Sequence, residues 1–263
     1  MPKLAVGQFN SYTGCKEKNL EKIEWLTQEA TSNGANLIVL PELSISGYRV
    51  DEKFIEIAET LNNGESIKEL SRISSENNGI WIYTTIPELN TTEEKPYNTA
   101  IMVNSEGLVA YYRKVHLWGN EFNYFSAGNK TMVVDTPIGK VGMLVCFDIS
   151  FPEISRTVAL QSCEVLLYSM AFSPDSRKYA LDLFSRTRAL ENGCYVGVSN
   201  HVGREKDTDF FGGSQIVNPD GKVLDKIDQD EGIIICEIDN EFLLDTRKRY
   251  PYLNKRSPDA YRL

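Results

Sequence analysis

The chain has 263 residues, 41% of them hydrophobic and 25% charged, with a formal net charge of −9 and a sequence pI near 4.9. These are ordinary globular values, and the acidic surplus argues against nucleic acid or an anionic membrane as partner. The opening MPKLAVGQFN lacks an apolar run long enough for a signal-peptide core, and no transmembrane segment follows, so the expected location is the cytoplasm.

In chain order, Lys3 to Phe9 reads as a buried strand. Residues 17–32 carry Leu20, Ile23, Leu26 and Ala30 on one stripe, a helix stopped by Asn33-Gly34. NLIVLPEL is a strand broken at Pro41-Glu42, a helix near 65–77 presents Ile67, Leu70 and Ile73, and GIWIYTTIPEL is strand again. YNTAIMVNSEGLVAYYRK forms a hairpin, whereas WGNEFNYFSAGNK at 118–130 is loop-like yet aromatic. A turn at Thr136–Gly139 leads into the apolar strand VGMLV, followed by helix 152–161, strand 164–169 and helix 174–192 with Ser173 as its cap and Pro174 at its first position. Strand 194–200, a hairpin turning at Asn-Pro-Asp-Gly, strand 232–238 and a short helix at about 240–248 complete the ordered part. A tail over about 249–263 then serves packing or oligomer contacts. Helices and strands alternate, but hairpins interrupt them. That pattern predicts an α/β protein with two sheets and outer helices, in one domain over 1–263.

Five cysteines without a C-x-x-C pair argue against disulfide scaffolds and zinc knuckles, and two histidines are too few for a His-rich metal centre. G-x-S-x-G, G-x-G-x-x-G, Walker and H-E-x-x-H patterns are all missing. Cysteine chemistry survives these screens. Cys146 stands where a strand ends and a helix is about to begin, although buried cysteine is also ordinary core filling. Two other able side chains follow apolar strands, Glu42 after NLIVLP and Lys114 after LVAYYR, and strand ends are where functional groups gather in α/β architectures. A buried carboxylate and ammonium would neutralise each other. With Cys146 they make a coherent trio: the carboxylate takes the thiol proton, and the ammonium favours the thiolate and stabilises an oxyanion. The backbone N–H of Phe147 is the natural second oxyanion donor. An ion pair of purely structural use and a thiol redox sensor fit the same residues.

The segments LPELSISGY, YRKVHLW and VCFDISFPE, in this order, resemble the three signature segments of the nitrilase superfamily of carbon–nitrogen hydrolases. EFNYFSAG, SRTRALENGCYVGVSN and GGSQIVNPDGKVL extend the resemblance along the whole chain. It implies a four-layer α-β-β-α sandwich, commonly dimerised, and hydrolysis of a non-peptide amide, carbamoyl or nitrile group through a covalent thioester or thioimidate, without cofactor or metal. Glu42, Lys114 and Cys146 match the superfamily's Glu, Lys and Cys, and Glu121 matches a fourth position that orients the Lys and the substrate. Asp148, Glu153 and Arg156 are expected to make buried hydrogen bonds that fix the turn after Cys146. Residues beside the matched segments, Tyr48, Trp118, Phe147, Met170, Ala171, Phe172 and His201, are expected to line a mainly apolar substrate pocket. Relatives that bind a substrate carboxylate often carry a basic residue in the segment held here by Ile149 and Ser150, which leaves Arg177 or Arg204 for that task. The resulting expectation is an amidase for a small linear amide, with an N-carbamoyl amine or amino-acid hydrolase as the nearest alternative, then a nitrilase, and an inactive scaffold as the non-enzymatic one.

Overall fold

A computed structural model of the chain describes residues 1–92, 94–174 and 178–260, the side chain of Lys178 excepted. Predicted features at 175–177, including the first turn of the helix that follows Pro174 and Arg177, lie outside the described residues, as does the end of the tail at 261–263.

The first half runs β1 (Lys3–Gln8), α1 (Lys16–Ser32), β2 (Leu37–Val39), α2 (Glu65–Glu76), β3 (Trp81–Glu88), β4 (Tyr97–Asn104), β5 (Gly107–Arg113) and a single helical turn α3 (Glu121–Tyr124). The second half runs β6 (Val133–Thr136), β7 (Gly139–Val145), α4 (Pro152–Ala159), β8 (Val165–Ser169), α5 (Lys178–Asn192) and β9 (Tyr195–Ser199). β10 (Val202–Glu205), β11 (Thr208–Phe211), β12 (Gln215–Val217), β13 (Val223–Lys226), β14 (Gly232–Glu237) and α6 (Asn240–Arg249) follow. Two six-stranded sheets result, ordered β14-β1-β2-β3-β4-β5 and β13-β12-β9-β8-β7-β6. Each has three parallel strands at its centre (β1, β2, β3 and β7, β8, β9) and antiparallel strands outside them.

The layering follows from side-chain alternation along strands buried on both faces. In β2, Leu37 and Val39 enter the main core, whereas Ile38, and Leu40 just past the strand, meet Ile23, Leu26 and Ala30 of α1 and Ile67, Leu70 and Ile73 of α2 in a second cluster. Between the sheets, the Tyr83 hydroxyl of β3 donates to the Leu144 carbonyl of β7 at 2.8 Å. A Cβ on Gly197 of β9 would lie 3.0 Å from the side-chain ends of Leu4 of β1 and Leu167 of β8, so a larger residue there would press on both where the sheets meet. On the far side, Ile154 and Val158 of α4 and Leu181 and Ala189 of α5 pack on the second sheet. The outcome is the expected α-β-β-α sandwich, and no described helix is long and apolar enough to cross a membrane.

Two elements depart from the sequence reading. α3 gives the aromatic 118–130 loop a helical turn, and β10–β11 make a separate two-stranded hairpin. HVGREKDTDFF lacks apolar alternation because both faces of this ribbon are partly wet, so periodicity carried no signal there. In the tail, Leu253 packs against the main core.

Candidate active site

Glu42 lies two residues past the buried run that ends at Leu40, where Pro41 halts pairing. Its main chain is pinned on several sides: its N–H donates to the Met170 carbonyl at 3.2 Å, and its own carbonyl faces His201 Nε2 at 2.6 Å. Next to it, the Leu43 N–H donates to Thr85 Oγ1 at 2.6 Å, with Leu43 in the left-handed region at φ +52°. The carboxyl is fully buried. Its Oε1 accepts from Lys114 Nζ at 2.7 Å and Asn98 Nδ2 at 2.8 Å, while Oε2 has no hydrogen-bond partner among the described residues.

Lys114 follows the last residue of β5, and its ammonium is as buried as Glu42. Beyond Glu42 it reaches both oxygens of Glu121, each at 2.8 Å. Glu121 opens α3, and its oxygens also accept from the Tyr48 hydroxyl and the Trp118 N–H, both at 2.9 Å. Burial works against the Lys114 charge, but Glu121 and Glu42 outweigh it and hold its pKa well above the ordinary lysine value. Burial is also the main force on Glu42, pushing it up to about 7 against the opposing pull of Lys114.

Cys146 begins a tight turn at the carboxyl end of β7 with φ +43°, a conformation that costs a non-glycine residue on the order of 1–3 kcal/mol. Asp148 holds the strain in place. Its Oδ2 accepts from the Val145 N–H at 3.0 Å and the Tyr112 hydroxyl at 2.8 Å; its Oδ1 accepts from the backbone N–H of His116 at 3.1 Å and from His116 Nδ1 at 2.8 Å. Arg188 of α5 clamps the same turn through the Ile149 carbonyl at 2.9 Å, and the His116 ring stacks on Phe151 with centroids 3.7 Å apart. Asp148 thus fixes the turn as expected. Glu153 is exposed, and Arg156 ties α4 to α5 by donating to the Glu191 carbonyl at 2.7 Å.

The Cys146 thiol is only 3% exposed. Burial and then Glu42 push its pKa up, opposed by Lys114 and by the Ala171 N–H. At neutral pH this sulfur holds its proton unless Glu42 takes it. The three side chains are therefore in one place: an ammonium between two carboxylates, with a thiol against one of them.

A cavity of about 480 Å³ reaches this cluster at Glu121 and Ala171, which are in its wall; Glu42, Lys114, Cys146 and Phe147 are not among the wall residues. Tyr48 and Trp118 line it too, but Met170, Phe172 and His201 do not. Met170 and Phe172 alternate with Ala171 and point into the main core, and His201 lies beneath Glu42. The Phe147 ring meets Trp118 edge-on at 4.7 Å. The wall is more polar than the sequence suggested: Arg49, Asp51, Asp207 and Asp209 join the aromatics. Asp207 and Asp209 come from the β10–β11 hairpin and its turn, the region that sequence reading missed, and Arg49 and Asp51 from the stretch after Gly47. Arg204 in β10 is two-thirds exposed and lies outside the wall, with Asp209 at 3.8 Å. Asn98, Arg188 and Asn200 were also not singled out. Asn200 accepts from the Phe172 N–H at 2.8 Å and donates to the Phe172 carbonyl at 3.1 Å, which fixes the stretch that presents Ala171. Among the described residues, no three His, Cys, Asp or Glu side chains are grouped to hold a metal ion.

Residues 3–248 match the carbon–nitrogen hydrolase family. The chain is 33% identical over 257 residues to an omega-amidase of Xenopus tropicalis, covering 94% of this chain and 92% of that protein. It is 34% identical over 243 residues to a nitrilase of Pyrococcus abyssi, covering 91% and 90%. Among solved structures, an amidase from Nesterenkonia sp. AN1 aligns with a TM-score of 0.87 at 25% identity, over 99% of this chain and 98% of that one. A variant of that amidase, aligned at a TM-score of 0.83 and 25% identity over 95% and 98%, shows Michael addition of acrylamide at its active-site cysteine. The chain belongs to the carbon–nitrogen hydrolases of the nitrilase superfamily.

Proposed function

We propose that the protein is an amidase that hydrolyses a small linear amide to a carboxylic acid and ammonia, with Cys146 as nucleophile. The observation that carries this reading is the contact of Lys114 Nζ with Glu42 at 2.7 Å and Glu121 at 2.8 Å, beside a buried thiol. Glu42 accepts the thiol proton as sulfur attacks the amide carbon. The carbonyl oxygen becomes an oxyanion that takes hydrogen bonds from Lys114 and the Phe147 N–H. An ammonium has three hydrogens. If one is shared between the two Glu121 oxygens and one goes to Glu42, the third is left for the oxyanion. Glu42 then protonates the departing amine and, as a carboxylate again, activates the water that cleaves the thioester. Glu121 acts by positioning Lys114, and Tyr48, Trp118 and Ala171 bound the substrate. No step calls for a cofactor or metal.

Amidase names among the relatives and solved structures support an amide, and the nitrilase name of the Pyrococcus abyssi relative makes nitriles the substrates to test against it. A panel of linear amides, N-carbamoyl compounds and nitriles, assayed for ammonia and carbon dioxide, tests the reading. Ammonia with the matching acid is expected from amides. Carbon dioxide together with ammonia from carbamoyl compounds alone would reassign the substrate, and no release from any of them would leave the scaffold. We also propose a cytoplasmic homodimer. An acidic chain with five free cysteines suits a reducing compartment. Tyr179, Leu183 and Leu190 leave an apolar stripe exposed on α5, at 83, 63 and 47%. Sedimentation at micromolar concentration should give twice the chain mass, and Leu183→Glu should shift it toward the monomer.

A further inference from the structure

Beneath Glu42 lies a pair of ionisable side chains that the chemistry above does not use. His201 follows β9, Glu205 ends β10, and the side chains of both are sealed from solvent. His201 Nε2 sits 2.6 Å from the Glu42 carbonyl, an atom that only accepts, so Nε2 carries a hydrogen. The other ring nitrogen faces two oxygens. Glu205 Oε1 is 3.6 Å from Nδ1 and has no hydrogen-bond partner among the described residues. Ser11 Oγ is 3.4 Å from Nδ1, and its single hydrogen has an acceptor in the Ser44 carbonyl at 3.2 Å. The second Glu205 oxygen is already engaged by Thr13 Oγ1 and the Arg49 N–H, both at 3.1 Å.

A neutral imidazole with its hydrogen on Nε2, facing an ionised Glu205, would set a lone pair of Nδ1 against one of Oε1 in a dry interior. Such an arrangement is costly. One additional proton removes the conflict, whether it rests on nitrogen or on oxygen. We infer that His201 and Glu205 share one buried proton between Nδ1 and Oε1, and that this couple positions the main chain of Glu42. Burial lowers the affinity of His201 for a proton below the ordinary imidazole value; Glu205 pulls the other way, as do the Glu42 and Phe9 carbonyls, without reversing it. The rings of Phe9 and Phe210, at 6.5 and 5.1 Å, keep the couple dry. Gly47 makes room for it: at φ +83°, a Cβ there would lie 2.9 Å from Glu205 Oε2. His201 and Glu205 are positioning residues, because they act through the main chain of Glu42, whose carbonyl His201 Nε2 meets at 2.6 Å. The catalytic consequence rests on Glu42 being the base; the proton sharing does not.

The chain has two histidines, so ¹⁵N-histidine labelling of the whole protein yields two rings, and His116→Gln assigns the other as His201. Between pH 6 and 8, His201 Nδ1 should show the shift of a proton-bearing or strongly hydrogen-bonded nitrogen, and that shift should move in Glu205→Ala and in Glu205→Gln. A free-nitrogen shift in the wild type, or one unmoved by Glu205→Gln, overturns the shared proton. Glu205→Gln keeps the shape of the site, so the test survives even if Glu205→Ala does not fold. Iodoacetamide alkylation of Cys146, followed by mass spectrometry, reads the positioning. Glu205→Ala should slow it about tenfold or more, since small misplacements of reacting groups cost that much, and Glu205→Gln, which still offers Nδ1 a hydrogen, should stay within about threefold. Equal rates in all three proteins overturn the positioning role. An enzyme that released no ammonia from any amide would leave the NMR result standing, so the two readings fail separately.

Discussion

Two cations in this molecule each gather carboxylates, and they do opposite things. Arg72 on α2 contacts Glu24, Glu69 and Glu76 with its side chain 40% exposed. Lys114 contacts Glu42 and Glu121 with no exposure. Water screens the first cluster, so it stitches α1 to α2 without altering any chemistry. Lys114 and Glu42 are sealed from solvent, and the same kind of contact sets proton affinities: Glu42 is lifted to about 7, and Lys114 is kept charged where burial alone would discharge it. Burial, rather than the number of partners, turns an ion pair into a reactive group.

Four experiments break or sharpen that contrast, from the largest effect to the smallest. Cys146→Ala removes the group that the buried cluster serves and touches neither cation. Steady-state ammonia release should fall about a thousandfold or more, with the circular dichroism spectrum unchanged. Lys114→Ala leaves Glu42 and Glu121 facing each other without a counter-charge. It should cost about 3–5 kcal/mol in urea unfolding and eliminate the burst of acyl-enzyme. The third test is pH. With Glu42 as the proposed base, which accepts the thiol proton only when ionised, kcat/KM should rise roughly tenfold per unit toward pH 7 and then level off. Glu42→Gln should abolish that limb. Stability runs the other way. The raised pKa means that the folded protein binds this proton more tightly than the unfolded chain. That contribution is complete below the ordinary carboxylate value of 4.5 and is lost as pH rises through about 7. The difference in urea midpoint between wild type and Glu42→Gln should follow that course. Arg72→Ala should change stability by at most about 1 kcal/mol and leave turnover as it was.

Much of this was written locally. NLIVL, LVAYY and VGMLV are apolar runs bounded by residues that end a strand, so the strands and the able side chains just past them could be read without coordinates. The stripes of α1 and α2 likewise announced their buried faces. The order Glu42, Lys114, Cys146 and the surrounding segments carried the superfamily resemblance. A different class of fact came only with the fold. Asn98 on Glu42, Arg188 on the elbow turn and His201 under the Glu42 carbonyl are separated in sequence from what they touch by 56, 39 and 159 residues. Part of the polar cavity wall, Asp207 to Asp209, came from a hairpin with no hydrophobic rhythm. Periodicity and turn chemistry are properties of neighbours along the chain, and these determine which segments become strands and where each one stops. Burial, desolvation and the meeting of Nδ1 with Oε1 are properties of neighbours in space, so proton affinities were decided only when the two sheets closed on each other.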